Sequence, residues 1–432
     1  MLTTDCLSIG ENGHLYISGC DTTELALQYG TPLYVMSEDK IRSVCRSYIE
    51  SIRQYYNGFG TPIYASKAFC CKEIHRIVVS EGLDVEVVSG GELYTALEAG
   101  VAPGKIHFQG NNKTHGELAL AIESQVGDIV ADNLTDLRKI NAVSKAHNTV
   151  SSITLRITPG IDAHTHEFIK TGQIDSKFGL TLTTGEAHEA VGAALSYGNV
   201  SLKGLHCHIG SQILDPEPFV HAAQVMLGFY AQIKKDFGIE LEILNLGGGF
   251  GIHYTENDDA QPYEKYMELV SEAVHGACDR LGLRMPRILL EPGRSIVGEA
   301  GITLYTVGNI KEIPNVRNYI AVDGGMYENP RYALYHAEYT CMIANKANAP
   351  RDYTATISGK CCESGDFIQE HTAIQKPAEG DILTVLSTGA YNYSMSSNYN
   401  RNVKPACVMV SNGTSRLIIK PETYEDLLRN DI

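Results

Sequence analysis

The chain has 432 residues, 43% of them hydrophobic and 20% charged, with a formal charge of -16 and a pI near 5.4. That length exceeds one ordinary core and suits two domains, and the composition excludes both a disordered polymer and a membrane bundle. The negative surface repels nucleic-acid backbones and anionic membranes, so neither is expected as a partner and any anion site has to be local.

Residues 1–36 alternate short polar and β-prone pieces, such as His14–Ile17 and Pro32–Val35, and are read as strands. Asp5 sits where a signal peptide would be basic and then apolar, and no run approaches the roughly 18 apolar residues of a membrane span. A cytoplasmic protein is expected. From Ser37, a possible cap, Ile41, Val44, Cys45, Tyr48, Ile49 and Ile52 recur at helical spacing. Eight apolar runs then alternate with helical segments: Pro62–Ala65, Asp84–Ser89, Lys105–Gly110, Asp128–Asn133, Ile153–Thr158, Lys203–His208, Glu242–Leu246 and Ile288–Glu291. This pattern predicts a closed (β/α)₈ TIM-like barrel over an open doubly wound sheet, whose two edges would need covering. Beyond about residue 300 the helical period fades and β-prone runs return, including Ile302–Val307, Tyr319–Val322, Thr354–Ile357, Ile382–Val385 and Val408–Val410, which predicts a second, all-β domain.

In such a barrel the chemistry lies at the C-terminal ends of the strands, and here those ends carry Lys67, His208, Gly247-Gly248-Gly249 and Glu291-Pro292-Gly293-Arg294. An ammonium at a barrel mouth needs a partner or conversion to an imine, which would make Lys67 a Schiff-base candidate; taken alone, a lysine at a strand end is more often a surface lysine. Three glycines let backbone N–H groups turn towards an oxyanion, although such a run is also an ordinary tight turn. Glu291 can pair with Arg294 or hold the proton of a ring nitrogen. His206 and His208 on the sixth strand suggest a metal pair, a stacking ring or structural histidines; no third ligand is evident and no metal is expected. Eleven cysteines, with adjacent pairs Cys70-Cys71 and Cys361-Cys362, fit neither a disulfide framework nor a zinc knuckle. Cys362-Glu363-Ser364-Gly365-Asp366 and Gly389-Ala390-Tyr391 are small-residue turns, and Arg331 has the fork suited to a carboxylate.

Six stretches taken in order, Tyr64–Ala68, His206–Gln212, the glycine run, Glu291–Arg294, Cys362–Asp366 and Gly389–Tyr391, resemble the fold-type III pyridoxal-phosphate-dependent decarboxylases. The resemblance spans nearly the whole chain. It implies a pyridoxal 5'-phosphate barrel at 37–299 and a β domain of 1–36 plus 300–432, built from both termini. It further implies that Lys67 carries the cofactor, His208 stacks on its ring and Glu291 pairs with the ring nitrogen. Ser211, Gly247, Gly248, Gly249, Gly293, Arg294 and Tyr391 would hold the phosphate, and Cys362 would donate the proton that replaces CO₂. Members are homodimers whose sites form between subunits.

Arg294, Arg331, Tyr335, Glu363 and Tyr391 resemble the substrate set of the diaminopimelate branch, as do Asp162–His166 and Ser176–Gly179. The implied reaction is decarboxylation of meso-2,6-diaminopimelate to L-lysine and CO₂, the last step of lysine biosynthesis. Another basic amino acid or polyamine precursor, namely ornithine, arginine, lysine or carboxynorspermidine, is the alternative. Phe69 and Tyr332 depart from the branch pattern, where asparagine and proline are usual.

Overall fold

The structure is a computed structural model that describes residues 4–161 and 175–432. Asp162–His166, one stretch of the resemblance, lies outside the described residues. The chain forms two compact units: Val44–Gly251 with Ala260–Ser295, and Met1–Ser43 with Ile252–Asp259 and Ile296–Ile432.

The first unit is the expected barrel. Its strands are Gly60–Ala65, Asp84–Val87, Ile106–Phe108, Asp128–Ala131, Ser151–Thr158, Val200–His206, Ile243–Asn245 and Arg287–Leu290. Each is parallel to its neighbour, and the eighth pairs with the first, Ile288 opposite Gly60, which closes the ring. Ile63, Val85, Ile106, Ile129, Ile153, Leu205, Leu244 and Ile288 are all buried, because a strand enclosed by side chains within the barrel and helices outside has no solvent face. The first long helix, Glu38–Tyr56, starts as the spacing predicts, with Ser37 Oγ accepting the Lys40 N–H at 3.1 Å. The sixth strand ends at His206, so His208 belongs to the following loop and not to the strand.

The second unit is a mixed sheet in the order Phe367–Ile374, Tyr353–Ser358, Arg317–Val322, Gly301–Ile313, Leu33–Ser37, Ala406–Ser411 and Thr414–Ile419. The N-terminal strand Leu33–Ser37 is central to it, antiparallel to Gly301–Ile313 and parallel to Ala406–Ser411. Reading all of 1–36 as strand is corrected by a helix at Thr22–Tyr29. Asp21 caps it, accepting the Thr23 N–H at 2.9 Å, and Leu25 and Ala26 are buried. A cap residue with Glu24 three positions on was the available signal.

Candidate active site

The first barrel strand delivers Lys67 in the 3₁₀ turn Ser66–Ala68. Two buried hydrogen bonds hold that turn, Tyr64 Oη donating to Phe69 O at 2.7 Å and Ser66 Oγ meeting His75 Nε2 at 3.0 Å. Lys67 Nζ donates to both oxygens of Glu86, at 3.0 and 3.2 Å, with the lysine side chain one-third exposed and the glutamate fully buried. Burial pushes the Glu86 carboxyl up and Lys67 pulls it back. Glu86 is therefore the partner that a barrel-mouth ammonium requires, and sequence reasoning passed over it; an acidic residue between Val85 and Val87 in an apolar strand was the signal.

Glu291 follows the eighth strand and is buried. Its partners are three donors: Gln109 Nε2 and Asn245 Nδ2, the latter at 2.7 Å, on Oε1, and His206 Nε2 at 3.1 Å on Oε2. Burial alone would raise this carboxyl, but the charge and hydrogen bond of His206, the charge of Lys67 and the Asn245 bond together hold it well below the usual carboxylate range. Arg294, the alternative ion-pair partner, instead donates to Ser211 Oγ, from Nε at 3.3 Å and Nη2 at 2.9 Å. His206 thus serves Glu291, while His208 Nδ1 accepts the Gly248 N–H at 3.3 Å, so the two rings part. Burial, followed by the positive charges of Lys67 and Arg156, pushes the His208 imidazole well below its ordinary value, leaving a neutral flat ring.

The glycine run is required by packing as well as by any ligand. A Cβ at Gly247 would strike Cys207 O, one at Gly248 the carbonyl of Glu291, and one at Gly249 the carbonyl of Gly210. At Gly293 it would meet Ala65 Cβ at 2.9 Å and Ala68 Cβ at 3.2 Å, crowding the Lys67 turn. The Gly247 N–H is used by Asn245 Oδ1 at 2.9 Å, but the Gly249 and Gly293 N–H groups have no acceptor among the described residues.

The remaining expected residues lie in the other unit. Arg331 opens the short helix Arg331–Tyr335 and is 6% exposed. Its Nη1 donates to Tyr339 Oη at 2.8 Å, and its guanidinium lies 4.5 Å from the Tyr254 ring centroid and 5.4 Å from that of Tyr339. No carboxylate among the described residues pairs with it. Tyr335 ends the same helix, half-buried, and Tyr391 stands at positive φ after the buried Gly389 and Ala390. Tyr332, the departure from proline, is accounted for: its hydroxyl donates to Glu370 Oε2 at 2.7 Å, while Arg317 holds Oε1 at 2.7 Å.

Burial separates the two adjacent thiols. Cys361 is buried and pushed up to about 11, first by burial and then by Asp366, whose Oδ2 takes the Cys361 N–H at 2.7 Å. Cys362 is exposed, with its N–H on Asn400 Oδ1 at 2.7 Å, and Glu363 beside it is exposed and accepts from Tyr399 Oη at 3.4 Å.

A barrel rim that offers an amine beside a carboxylate, a second ionised carboxylate and unspent backbone donors suits an enzyme that binds a phosphorylated, ring-bearing cofactor. Residues 40–298 match the family model of the pyridoxal-dependent decarboxylase, pyridoxal binding domain, and the chain belongs to that family. It is 48% identical over 413 residues to the diaminopimelate decarboxylase of Bacillus methanolicus, covering 95% of each chain. To that of Bacillus subtilis (strain 168) it is 46% identical over 425 residues, covering 98% of this chain and 96% of the relative. Among solved structures, diaminopimelate decarboxylase from M. jannaschii in complex with L-lysine superposes with a TM-score of 0.92 at 36% identity, over 100% of this chain and 99% of that one. The cofactor of the family is pyridoxal phosphate, and the residues present fit it: Gly249 and Gly293 supply unspent donors for an oxyanion, and Glu291 is ionised for a ring nitrogen.

Proposed function

We propose that this chain decarboxylates meso-2,6-diaminopimelate to L-lysine and CO₂, the closing reaction of lysine biosynthesis. The observation that carries the substrate is Arg331, a buried guanidinium with aromatic walls and no carboxylate partner among the described residues. Burying a charge unpaired is costly, so such a group is matched to an anion that arrives with the ligand. Diaminopimelate brings a second carboxylate; ornithine and lysine, reacting at their one amino-acid centre, bring only a distal ammonium.

Pyridoxal phosphate, when bound, supplies the electron sink that takes up the electron pair left by departing CO₂. In this reading Lys67 would hold the cofactor, with Glu86 fixing its ammonium whenever that amine is free. Glu291, kept ionised by its three donors, would face the ring nitrogen and favour a proton there. Ser211, the glycine run, Gly293, Arg294 and Tyr391 would hold the phosphate, and the neutral His208 ring would offer a face for stacking. Arg331, with Arg294, Tyr335, Glu363 and Tyr391, would bind and orient the substrate. Cys362 would deliver a proton to the carbon that lost CO₂, its thiol serving as the general acid.

The exposed Cys362 and Glu363 support a homodimer in which this loop completes the site of a second copy. The domain boundaries, 37–299 for the barrel and 1–36 plus 300–432 for the β domain, belong to the same proposal. So does a cytoplasmic location, supported by the absence, among the described residues, of any helix long and apolar enough to cross a membrane. Incubation of cofactor-loaded protein with meso-diaminopimelate, ornithine, arginine and lysine, followed by mass spectrometry, tests the reading. Lysine from diaminopimelate, and no diamine from the others, is the expected result; putrescine, agmatine or cadaverine as the main product would overturn it.

A further inference from the structure

Arg331 lies against Tyr254 and Tyr339, and Tyr339 in turn meets Asn392; the three come from separate stretches of the chain. The Tyr339 hydroxyl lies 2.8 Å from Arg331 Nη1 and 3.3 Å from Asn392 Nδ2. A guanidinium only donates, so the phenol oxygen accepts the first bond. Asn392 Nδ2 also lies 3.0 Å from Thr388 O, a carbonyl that only accepts, and this fixes the amide orientation. The phenol oxygen therefore accepts the second bond too. Both acceptor positions are spent, and the hydroxyl proton has no acceptor among the described residues. Asn392 Oδ1 is likewise buried without a partner there. Tyr339 is 2% exposed and Asn392 is fully buried, so these unmade bonds carry a desolvation cost that a ligand can relieve.

We infer that Tyr339 is a specificity-determining residue whose hydroxyl proton donates to the distal carboxylate of the substrate beside the Arg331 guanidinium, with Asn392 as the positioning residue that turns the proton towards that anion. The inference rests on the reading that Arg331 takes the distal carboxylate. A carboxylate can accept from both donors at once. An ammonium in its place would face two donors and find no acceptor in them, so the pair discriminates by chemistry as well as by shape. Burial, the largest influence, raises the Tyr339 phenol pKa and keeps the proton in place across the physiological range.

Tyr339→Phe removes only the hydroxyl and leaves the ring against Arg331 and Tyr254. L-lysine retains the distal carboxylate and cadaverine has none, so their inhibition constants on the holoenzyme separate loss of the donor from loss of the fold. Tyr339→Phe is expected to raise the KM for meso-diaminopimelate and the Ki for L-lysine about tenfold or more, with kcat changed less than about threefold and the cadaverine Ki unchanged. Asn392→Ala, which keeps the phenol but releases its proton, should raise the L-lysine Ki about threefold. An L-lysine Ki that is the same in Tyr339→Phe and wild type, or an equal rise for both inhibitors, would overturn the inference. Arg331→Lys, measured alongside, distinguishes the two levels. If it weakens L-lysine inhibition while Tyr339→Phe does not, only the tyrosine assignment falls; if neither does, the Arg331 reading falls as well.

Discussion

The barrel rim and the surroundings of Arg331 bury charge in opposite ways. At the rim the two carboxylates and the lysine ammonium are answered from within the chain: Glu291 by Gln109, Asn245 and His206, and Lys67 by Glu86. Around Arg331 the described residues supply aromatic faces and one phenol oxygen but no carboxylate. In the proposed reading the first arrangement would keep fixed the protonation states that a bound cofactor needs. In the same reading the second would be completed by the substrate's own carboxylate, so reaction type and substrate choice would be separable in the molecule.

Substitutions at the two places should fail differently. Lys67→Ala is expected to abolish turnover together with the visible absorbance of bound cofactor, read by spectrophotometry; normal turnover would break the rim account. Glu291→Gln should lower kcat by about a hundredfold or more while changing KM little, since it weakens the hold on the ring proton without touching the distal contacts. For stability the contrast runs the other way. Glu291→Leu strands three buried donors and should cost about 3 kcal/mol in urea unfolding of the apo chain. Arg331→Met removes an unanswered charge and should cost less than about 1 kcal/mol, or stabilise. Equal losses would remove the distinction between an answered and an unanswered charge.

A smaller effect comes from Glu328, three residues before Arg331, whose carboxyl is fully buried and pushed up to about 8, first by burial. Its Oε1 accepts from Tyr305 Oη at 2.8 Å and from Gly325 N–H at 3.0 Å, while Oε2 has no partner among the described residues. A raised folded pKa means that between the ordinary carboxylate value and about 8 the unfolded chain has lost a proton that the folded chain keeps, so stability falls as pH rises through that window. Glu328→Gln, a mimic of the neutral acid, should match wild type near pH 4.5 and exceed it at pH 8 by about 1 to 3 kcal/mol. Parallel pH profiles of the melting temperature would contradict this. Smallest is Tyr332→Phe, which frees Glu370 from one bond and should cost about 0.5 to 1 kcal/mol.

The barrel was legible in the sequence because strands enclosed on both sides become apolar runs, and because its chemistry sits where those runs end. Lys67, Glu291, His208 and the glycines stand out at such ends. Glu86, Gln109 and Asn245 did not, since apolar periodicity marks a strand without telling which of its polar residues points inward. His206 was visible but ambiguous until its Glu291 contact was seen. Tyr254, Tyr339 and Asn392 meet only through the folding of the second unit, and no spacing rule links them. The helix Thr22–Tyr29 was hidden by its brevity, although Asp21 and Glu24 mark its start.

The central claim, that an unanswered buried guanidinium selects a substrate with a second carboxylate, is tested most directly by the kcat/KM of Arg331→Ala on meso-diaminopimelate and on ornithine. The account predicts a loss of about a hundredfold or more on diaminopimelate, with ornithine turnover unchanged or improved. An undiminished kcat/KM on diaminopimelate, or equal losses on both substrates, would contradict it.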